Sequence, residues 1–74
     1  MKAKELKKQG LVPAWANFLT KSRAGGVTAH ANRPVIRLGF FSSNWTSTGL
    51  SELVPAVSVD EFDGKDWKEC LYSF

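Results

Sequence analysis

The residues that could do chemistry are few in this 74-residue chain, and they lie far apart. The chain has one histidine, His30, and one cysteine, Cys70, which falls on an apolar stripe where burial would disfavour its thiolate. A cysteine nucleophile needs a base within hydrogen-bonding reach, and no spacing in the sequence brings these two residues together. We therefore expect no catalytic residues.

Metal and phosphate sites are equally weakly indicated. A calcium loop places oxygen ligands at alternate positions and adds a distal glutamate, and the acidic residues near the C-terminal end lack this spacing. Gly25 and Gly26 lack the preceding strand and the following lysine and serine of a phosphate-binding loop. No cysteine and histidine grouping has the spacing of a zinc site. The acidic residues that lack the calcium-loop spacing are Asp60, Glu61, Asp63 and Asp66. The sequence thus predicts no metal and no cofactor.

Charge is distributed unevenly along the chain, although the net charge is only +3. Residues 1–40 carry eight basic side chains and one acidic side chain, whereas residues 41–74 carry two basic and six acidic ones. This asymmetry is typical of a chain with one pole that meets an anionic partner. The predicted partner-binding residues are Lys21, Arg23, Arg33 and Arg37, with Trp45 as an aromatic anchor and Phe41 as a second candidate anchor.

The elements that must position these residues are organised around a hydrophobic run at residues 35–41. Pro34 precedes the run and polar turn residues follow it, and its branched and aromatic side chains favour a β-strand. With the period of two of a strand, Ile36, Leu38 and Phe40 share one face, which we predict to be the core face. Leu38→Ala is therefore expected to cost about 2–5 kcal/mol of stability.

The chain before this strand is predicted to be helical in two places. Residues 2–9 favour a short, frayed helix or a basic tail, and Gly10 suits the position just past a helix C-terminus. A second helix is predicted over residues 13–23, because proline is favoured at the first helical position and large apolar side chains follow at i, i+3, i+4 spacing: Trp15, Phe18 and Leu19.

The end of the chain carries the clearest signals for a helix start. Asp63 can cap a helix, and Phe62 and Trp67 have the spacing of a hydrophobic staple. The alternative is a hairpin turn at Asp63 and Gly64, with residues 66–74 as a strand that pairs with residues 57–62. We favour the helix, because its apolar stripe is the cleaner pattern: Trp67, Cys70, Leu71 and Phe74.

The predicted fold class is α+β, with one small domain over residues 1–74 in which two helices pack on a short, mostly antiparallel sheet. Residues 45–48 are expected to form a second strand or an extended loop, residues 49–53 a helical turn, and residues 56–59 another short strand. The lone cysteine excludes a disulfide within the chain, so packing must hold the domain together. The predicted core comprises Leu11, Trp15, Phe18, Leu19, Ile36, Leu38, Phe40, Leu50, Leu53, Val57, Val59, Phe62, Trp67, Cys70, Leu71 and Phe74.

These patterns predict a small non-enzymatic binding protein whose partner is another protein or a nucleoprotein complex. In size, charge and lack of an enzyme motif the chain is similar to the small proteins that phages and mobile elements use to block host machinery. The alternative is a nucleic-acid-binding protein whose basic N-terminal half follows phosphates. The chain has neither a signal-peptide pattern nor a run of about 20 apolar residues, so we expect a cytoplasmic protein without membrane contact. Its oligomeric state stays open.

Overall fold

The computed structural model describes residues 1–55 and 57–74 and places one short helix and six short strands in that part of the chain. Among these residues, no helix combines the length and the apolar character needed to span a membrane. The elements are α1 (Ala3–Lys8), β1 (Phe18–Lys21), β2 (Val27–His30), β3 (Val35–Leu38), β4 (Ser43–Thr46), β5 (Ser51–Val54) and β6 (Leu71–Ser73), with 3-10 turns at Asp60–Phe62 and Trp67–Glu69.

Four strands form the main sheet, in the order β5-β2-β1-β6, and every neighbouring pair is antiparallel. Leu19 of β1 lies opposite Ala29 of β2 on one side and Tyr72 of β6 on the other. The turn between β1 and β2 uses Gly25, whose φ of 96° favours glycine. The antiparallel sheet of the predicted fold is therefore confirmed, with β1 and β2 at its centre.

The hydrophobic core lies on one face of the main sheet. The strand register puts Leu19, Val27, Ala29 and Val54 on this face, and all four are buried. The opposite face carries two buried polar residues, Thr20 and His30. The core is thus single-sided, and it is completed by buried residues from α1 and from the irregular segments: Ala3, Leu6, Val12, Ala16, Val59, Phe62 and Cys70.

Helix α1 ends as its sequence predicts. Gly10 has a φ of 79°, and its N–H donates to the carbonyl of Lys7 at 3.1 Å, while the N–H of Leu11 donates to the carbonyl of Leu6 at 3.0 Å. These two bonds make a Schellman motif, which satisfies carbonyls that a helix end would leave without partners. Because Ala3 and Leu6 are buried, this segment is a packed helix rather than a basic tail.

Strands β3 and β4 form a second, two-stranded antiparallel sheet, which we call the finger (residues 35–46). The strand predicted at residues 35–41 is thereby confirmed over Val35–Leu38. It does not lie in the main sheet, however, and the finger has its own side-chain pattern. Ile36 and Trp45 are half-buried and lie opposite each other, whereas Leu38 is exposed.

The prediction of two packed helices is wrong, because neither forms among the residues that the structure describes. The stretch predicted as the first helix, residues 13–23, contains β1 instead. Leu19 and Thr20 lie on opposite faces of this strand, and both are buried. Burial on both faces between two neighbouring strands outweighs the helical spacing, since propensity is a weak prior against tertiary context.

The helix predicted from Asp63 to the C-terminus is also replaced. Asp63 has an extended backbone with a ψ of 130°, and Gly64 follows with a φ of 73°, which no helix accommodates. The alternative strand is confirmed in part, because Leu71–Ser73 forms β6. It pairs with β1, however, and not with residues 57–62.

Three shorter predictions have mixed outcomes. The strand expected at residues 45–48 is confirmed in part as β4 (Ser43–Thr46). The helical turn expected at residues 49–53 is wrong, because β5 occupies that stretch. In the strand expected at residues 56–59, residues 57–59 are irregular and Ala56 lies outside the described residues.

The predicted core is right where the main sheet and its covering segments supply the packing. Leu19, Val59, Phe62 and Cys70 are buried, and Trp15, Val57 and Phe74 pack against them. It is wrong where no layer covers the apolar side chain, because hydrophobicity determines which residues can be buried and not which ones are covered. The exposed residues of the predicted core are Leu11, Leu38, Phe40, Leu50 and Leu53.

Two leucine substitutions distinguish a buried core residue from an exposed residue of the predicted core. Leu19→Ala should cost about 2–5 kcal/mol of unfolding free energy, because it leaves a cavity in the core. Leu38→Ala should change the unfolding free energy by less than about 0.5 kcal/mol, because the Leu38 side chain is 73% exposed. Urea melts of both variants measure the difference. Equal losses would place Leu38 in the core and contradict this fold.

Candidate interaction site

The tip of the finger is a tight turn that holds two aromatic rings away from the domain. The N–H of Gly39 donates to the carbonyl of Ser42 at 2.8 Å, and a Cβ on Gly39 would collide with the same carbonyl oxygen. Phe40 and Phe41 lie between these two residues and are 97% and 96% exposed. Their rings meet edge to face, with centres 5.1 Å apart and planes at 75°. The tip therefore presents bare aromatic surface in two directions.

The outer side of the finger has an open recess of about 360 Å³ beside this tip. Its walls include both phenylalanines, the guanidinium-bearing Arg37 of β3, and Asn44 and Thr46 of β4. Arg37 lies opposite Asn44 in the finger register. This recess thus combines aromatic surface with one cation, an amide group and hydroxyl groups.

The inner side of the finger faces a second open cleft of about 520 Å³, between the finger and the main domain. Leu38 and Ser43 contribute the finger wall, and Arg23 of the β1–β2 turn contributes a cation. The opposite wall carries Trp67 with its neighbours Asp66 and Lys68. The Lys68 ammonium lies 6.0 Å from the centre of the Trp67 ring, so a second cation stands beside an aromatic face.

Polar contacts connect the finger and the residues that flank it to the rest of the domain. The indole N–H of Trp45 donates to the carbonyl of Trp67 at 3.0 Å, on the half-buried side of the finger. At the far end of β4, the side chain of Asn32 donates to the carbonyl of Thr48 at 3.0 Å. Both contacts use polar groups, so the finger is attached without burying its tip.

His30 provides a third link, and it is the buried polar centre of the fold. Its Nε2 lies 2.8 Å from Oγ1 of Thr20 in the main sheet, and its Nδ1 lies 2.6 Å from Oγ of Ser47, just after the finger. Burial lowers the pKa of His30 below its ordinary value. Each ring nitrogen is hydrogen-bonded to a hydroxyl, so the histidine links the main sheet to the residue that follows the finger.

Cys70 is a packed residue of the core. It is fully buried, and its thiol donates to the carbonyl of Asp66 at 3.3 Å. Burial raises the pKa of the Cys70 thiol, which keeps it in the unreactive protonated form. Among the residues that the structure describes, no group of three or more His, Cys, Asp or Glu side chains is placed to hold a metal ion.

The residues predicted as one partner-binding surface lie at different places in the domain, and two of them line the recesses of the finger. Arg23 lines the inner cleft and Arg37 the outer recess. The Arg33 guanidinium rests 5.8 Å from the centre of the Phe18 ring. Lys21 is half-buried at the end of β1. Trp45 is half-buried behind the finger, where its indole N–H is bonded.

Sequence reasoning missed Phe40, Trp67 and Lys68 as site residues. The apolar alternation of β3 predicts Phe40 in the core, whereas its ring is exposed. The signal that could have placed it correctly is the glycine before the phenylalanine pair and the serines after it, a composition typical of a turn. Trp67 and Lys68 carry no comparable signal, because their position depends on a cleft that the fold creates.

No protein-family model matches this chain, and no curated protein or solved structure matches it significantly. Its function therefore has to be inferred from its own residues.

The buried position of His30 predicts a pH dependence of stability. Its folded pKa is lowered from 6.5, so the unfolded chain takes up a proton below about pH 6.5 while the folded protein resists protonation. Its contribution to stability is therefore complete above that pH and is lost as the pH falls towards the folded pKa.

Denaturant melts of the wild type and a His30→Gln variant between about pH 8 and 5 test this, because the variant shares every other titrating group. The stability of the wild type relative to the variant should be constant above about pH 7 and should decrease below about 6.5. A difference that stays constant over the whole range would show that His30 titrates alike in both states.

Proposed function

We propose that this is a non-enzymatic binding protein that holds a macromolecular partner through its finger. The observation that carries the proposal is the pair of adjacent phenylalanines, Phe40 and Phe41, that are almost wholly exposed at the tip. Buried aromatic side chains cover about 150–250 Å² each, so the pair alone presents roughly 400 Å² of apolar surface. Continuous apolar patches of that size on a small protein commonly mark interaction sites.

The energetics favour covering this surface. Complete burial of a phenylalanine contributes about 1.5–3 kcal/mol, so covering both rings would contribute roughly 3–6 kcal/mol to binding. The turn is already closed by the hydrogen bond from Gly39 to Ser42, which reduces the ordering entropy that a flexible loop would lose on binding. An exposed aromatic pair on a turn that a hydrogen bond closes is suited to act as an anchor.

The charges around the finger indicate an acidic partner. Arg37 lies on its outer side, and Arg23 and Lys68 lie in the inner cleft. Among the residues that the structure describes, Asp66 is the one carboxylate in the walls of these two recesses. An acidic groove on a protein or a nucleoprotein complex satisfies this requirement, and so does a nucleic acid strand. Blocking such a surface is the mode of action that the resemblance to phage-type inhibitors of host complexes implies.

A capture experiment with matched variants tests the proposal. Tagged wild-type protein, a Phe40→Ser/Phe41→Ser variant and a Leu50→Ser/Leu53→Ser control are incubated with host-cell extract at low and high salt, with and without nuclease. Bound proteins are identified by mass spectrometry, and bound nucleic acid is stained. The control removes two exposed leucines, Leu50 just before the edge strand β5 and Leu53 within it, and neither of them lines the two recesses of the finger. Because all four side chains are exposed, both variants should melt like the wild type.

We expect a partner that the wild type and the control retain and the phenylalanine variant loses. The loss should exceed about tenfold, as removal of anchor side chains usually costs more than 1 kcal/mol each. Identical bound material for all three proteins would show that the finger is a bare surface element and would overturn the proposal.

A further inference from the structure

We infer that the occupant of the finger is single-stranded nucleic acid, with bases stacked on the exposed aromatic rings and phosphates held by the cations beside them. The inference rests on the proposed function, because it names the partner of that same site. The observation behind the inference is that aromatic surface lies next to a cation on both sides of the finger.

On the outer side, the two phenylalanine rings share their recess with Arg37. On the inner side, Trp67 shares its cleft with Arg23 and Lys68. A nucleotide has one flat apolar group and one anionic group, and proteins that bind single strands combine stacking rings with a cationic groove. The two sites flank one narrow element, so a strand that passes over the tip meets both.

The polar side chains of the recesses fit the same ligand. The outer recess contains Ser42, Asn44 and Thr46, and the inner cleft contains Ser43. Hydroxyl and amide groups of this kind contact phosphate and sugar oxygens. The chain has no aspartate or glutamate between Glu5 and Glu52, so the finger carries no carboxylate of its own that would repel phosphates.

The aromatic tip favours an unpaired strand over a duplex. Base edges in a duplex groove are read mainly through hydrogen bonds, and the rings of Phe40 and Phe41 can neither donate nor accept one. Their faces are available for stacking, since both rings are exposed and stand at 75° to each other. Base faces are free to accept such rings only when the bases are unstacked, as in single strands and loops.

Direct titration tests the inference with defined probes. Fluorescein-labelled oligo(dT) and oligo(rU) of about 12 nucleotides, and a duplex of the same length, are titrated with the full chain and followed by anisotropy and by the intrinsic tryptophan fluorescence. Three phosphate contacts, from Arg23, Arg37 and Lys68, predict a slope of log K against log salt of about −2 for single strands. Affinity should therefore fall about 16-fold between about 50 and 200 mM salt.

Matched variants assign the two kinds of contact. Phe40→Ser/Phe41→Ser should weaken single-strand binding by about 10- to 100-fold at every salt concentration, because each lost stack removes a contact that does not depend on salt. The Leu50→Ser/Leu53→Ser control should bind like the wild type. Arg37→Gln should make the salt slope shallower by about 0.7, whereas Lys4→Gln, which removes an exposed charge of α1, should leave the slope unchanged.

Three results would overturn the inference. These are the absence of oligonucleotide binding at low salt, binding of the duplex as tight as that of the single strand, and unchanged affinity in the phenylalanine variant. If oligonucleotides fail to bind while a protein from nuclease-treated extract is captured only with an intact finger, the occupant is a protein groove. That result would contradict the nucleic-acid inference and would agree with the proposed function. Capture of the same partner by the phenylalanine variant and the wild type would contradict both.

Discussion

The fold depends on a single hydrophobic layer against one face of the main sheet. Leu19 lies within it on the central strand β1, and α1 and the turn at Asp60–Phe62 contribute the buried residues that pack there. A chain of this length can fill one such core, so the second face of the sheet is completed by polar contacts. His30 makes the polar contacts that matter most on this face, because its two ring nitrogens connect Thr20 in the sheet to Ser47 beyond the finger.

The character of the finger follows from this arrangement. The hydrogen bond from Trp45 to the carbonyl of Trp67 attaches its inner side, and no apolar layer draws its tip inward. Gly39 permits the turn to close on Ser42, which leaves both phenylalanines in solvent. The same geometry opens a recess on each side of the finger and places arginines in both. The polar contacts thus attach the finger while the aromatic surface of its tip stays exposed.

Local signals in the sequence predicted what local interactions determine. Gly10 marks the end of α1, and the branched and aromatic residues at Val35–Leu38 mark a strand. The helix predicted over residues 13–23 does not form, because Leu19 and Thr20 are buried on opposite faces of β1 and the neighbouring strands determine their conformation. The sequence predicts Phe40 in the core because its apolar character is visible there, whereas the lack of a covering layer is a property of the whole fold. Arg37 can be named as a candidate from its charge alone, but the position of Trp67 beside the inner cleft depends on the fold.

Native-state hydrogen exchange tests most directly whether the finger stands outside the core. The N–H of Lys21, the last residue of β1, donates to the carbonyl of Cys70 at 3.1 Å, and the N–H of Gly39 donates to the carbonyl of Ser42 at 2.8 Å in the tip, so both amides are bonded. We expect Lys21 to exchange only through global unfolding, with an opening free energy equal to that from denaturant melts, and Gly39 to exchange through local opening at several kcal/mol less. Equal protection of the two amides would contradict this account, because it would make the finger part of the same cooperative unit as the core.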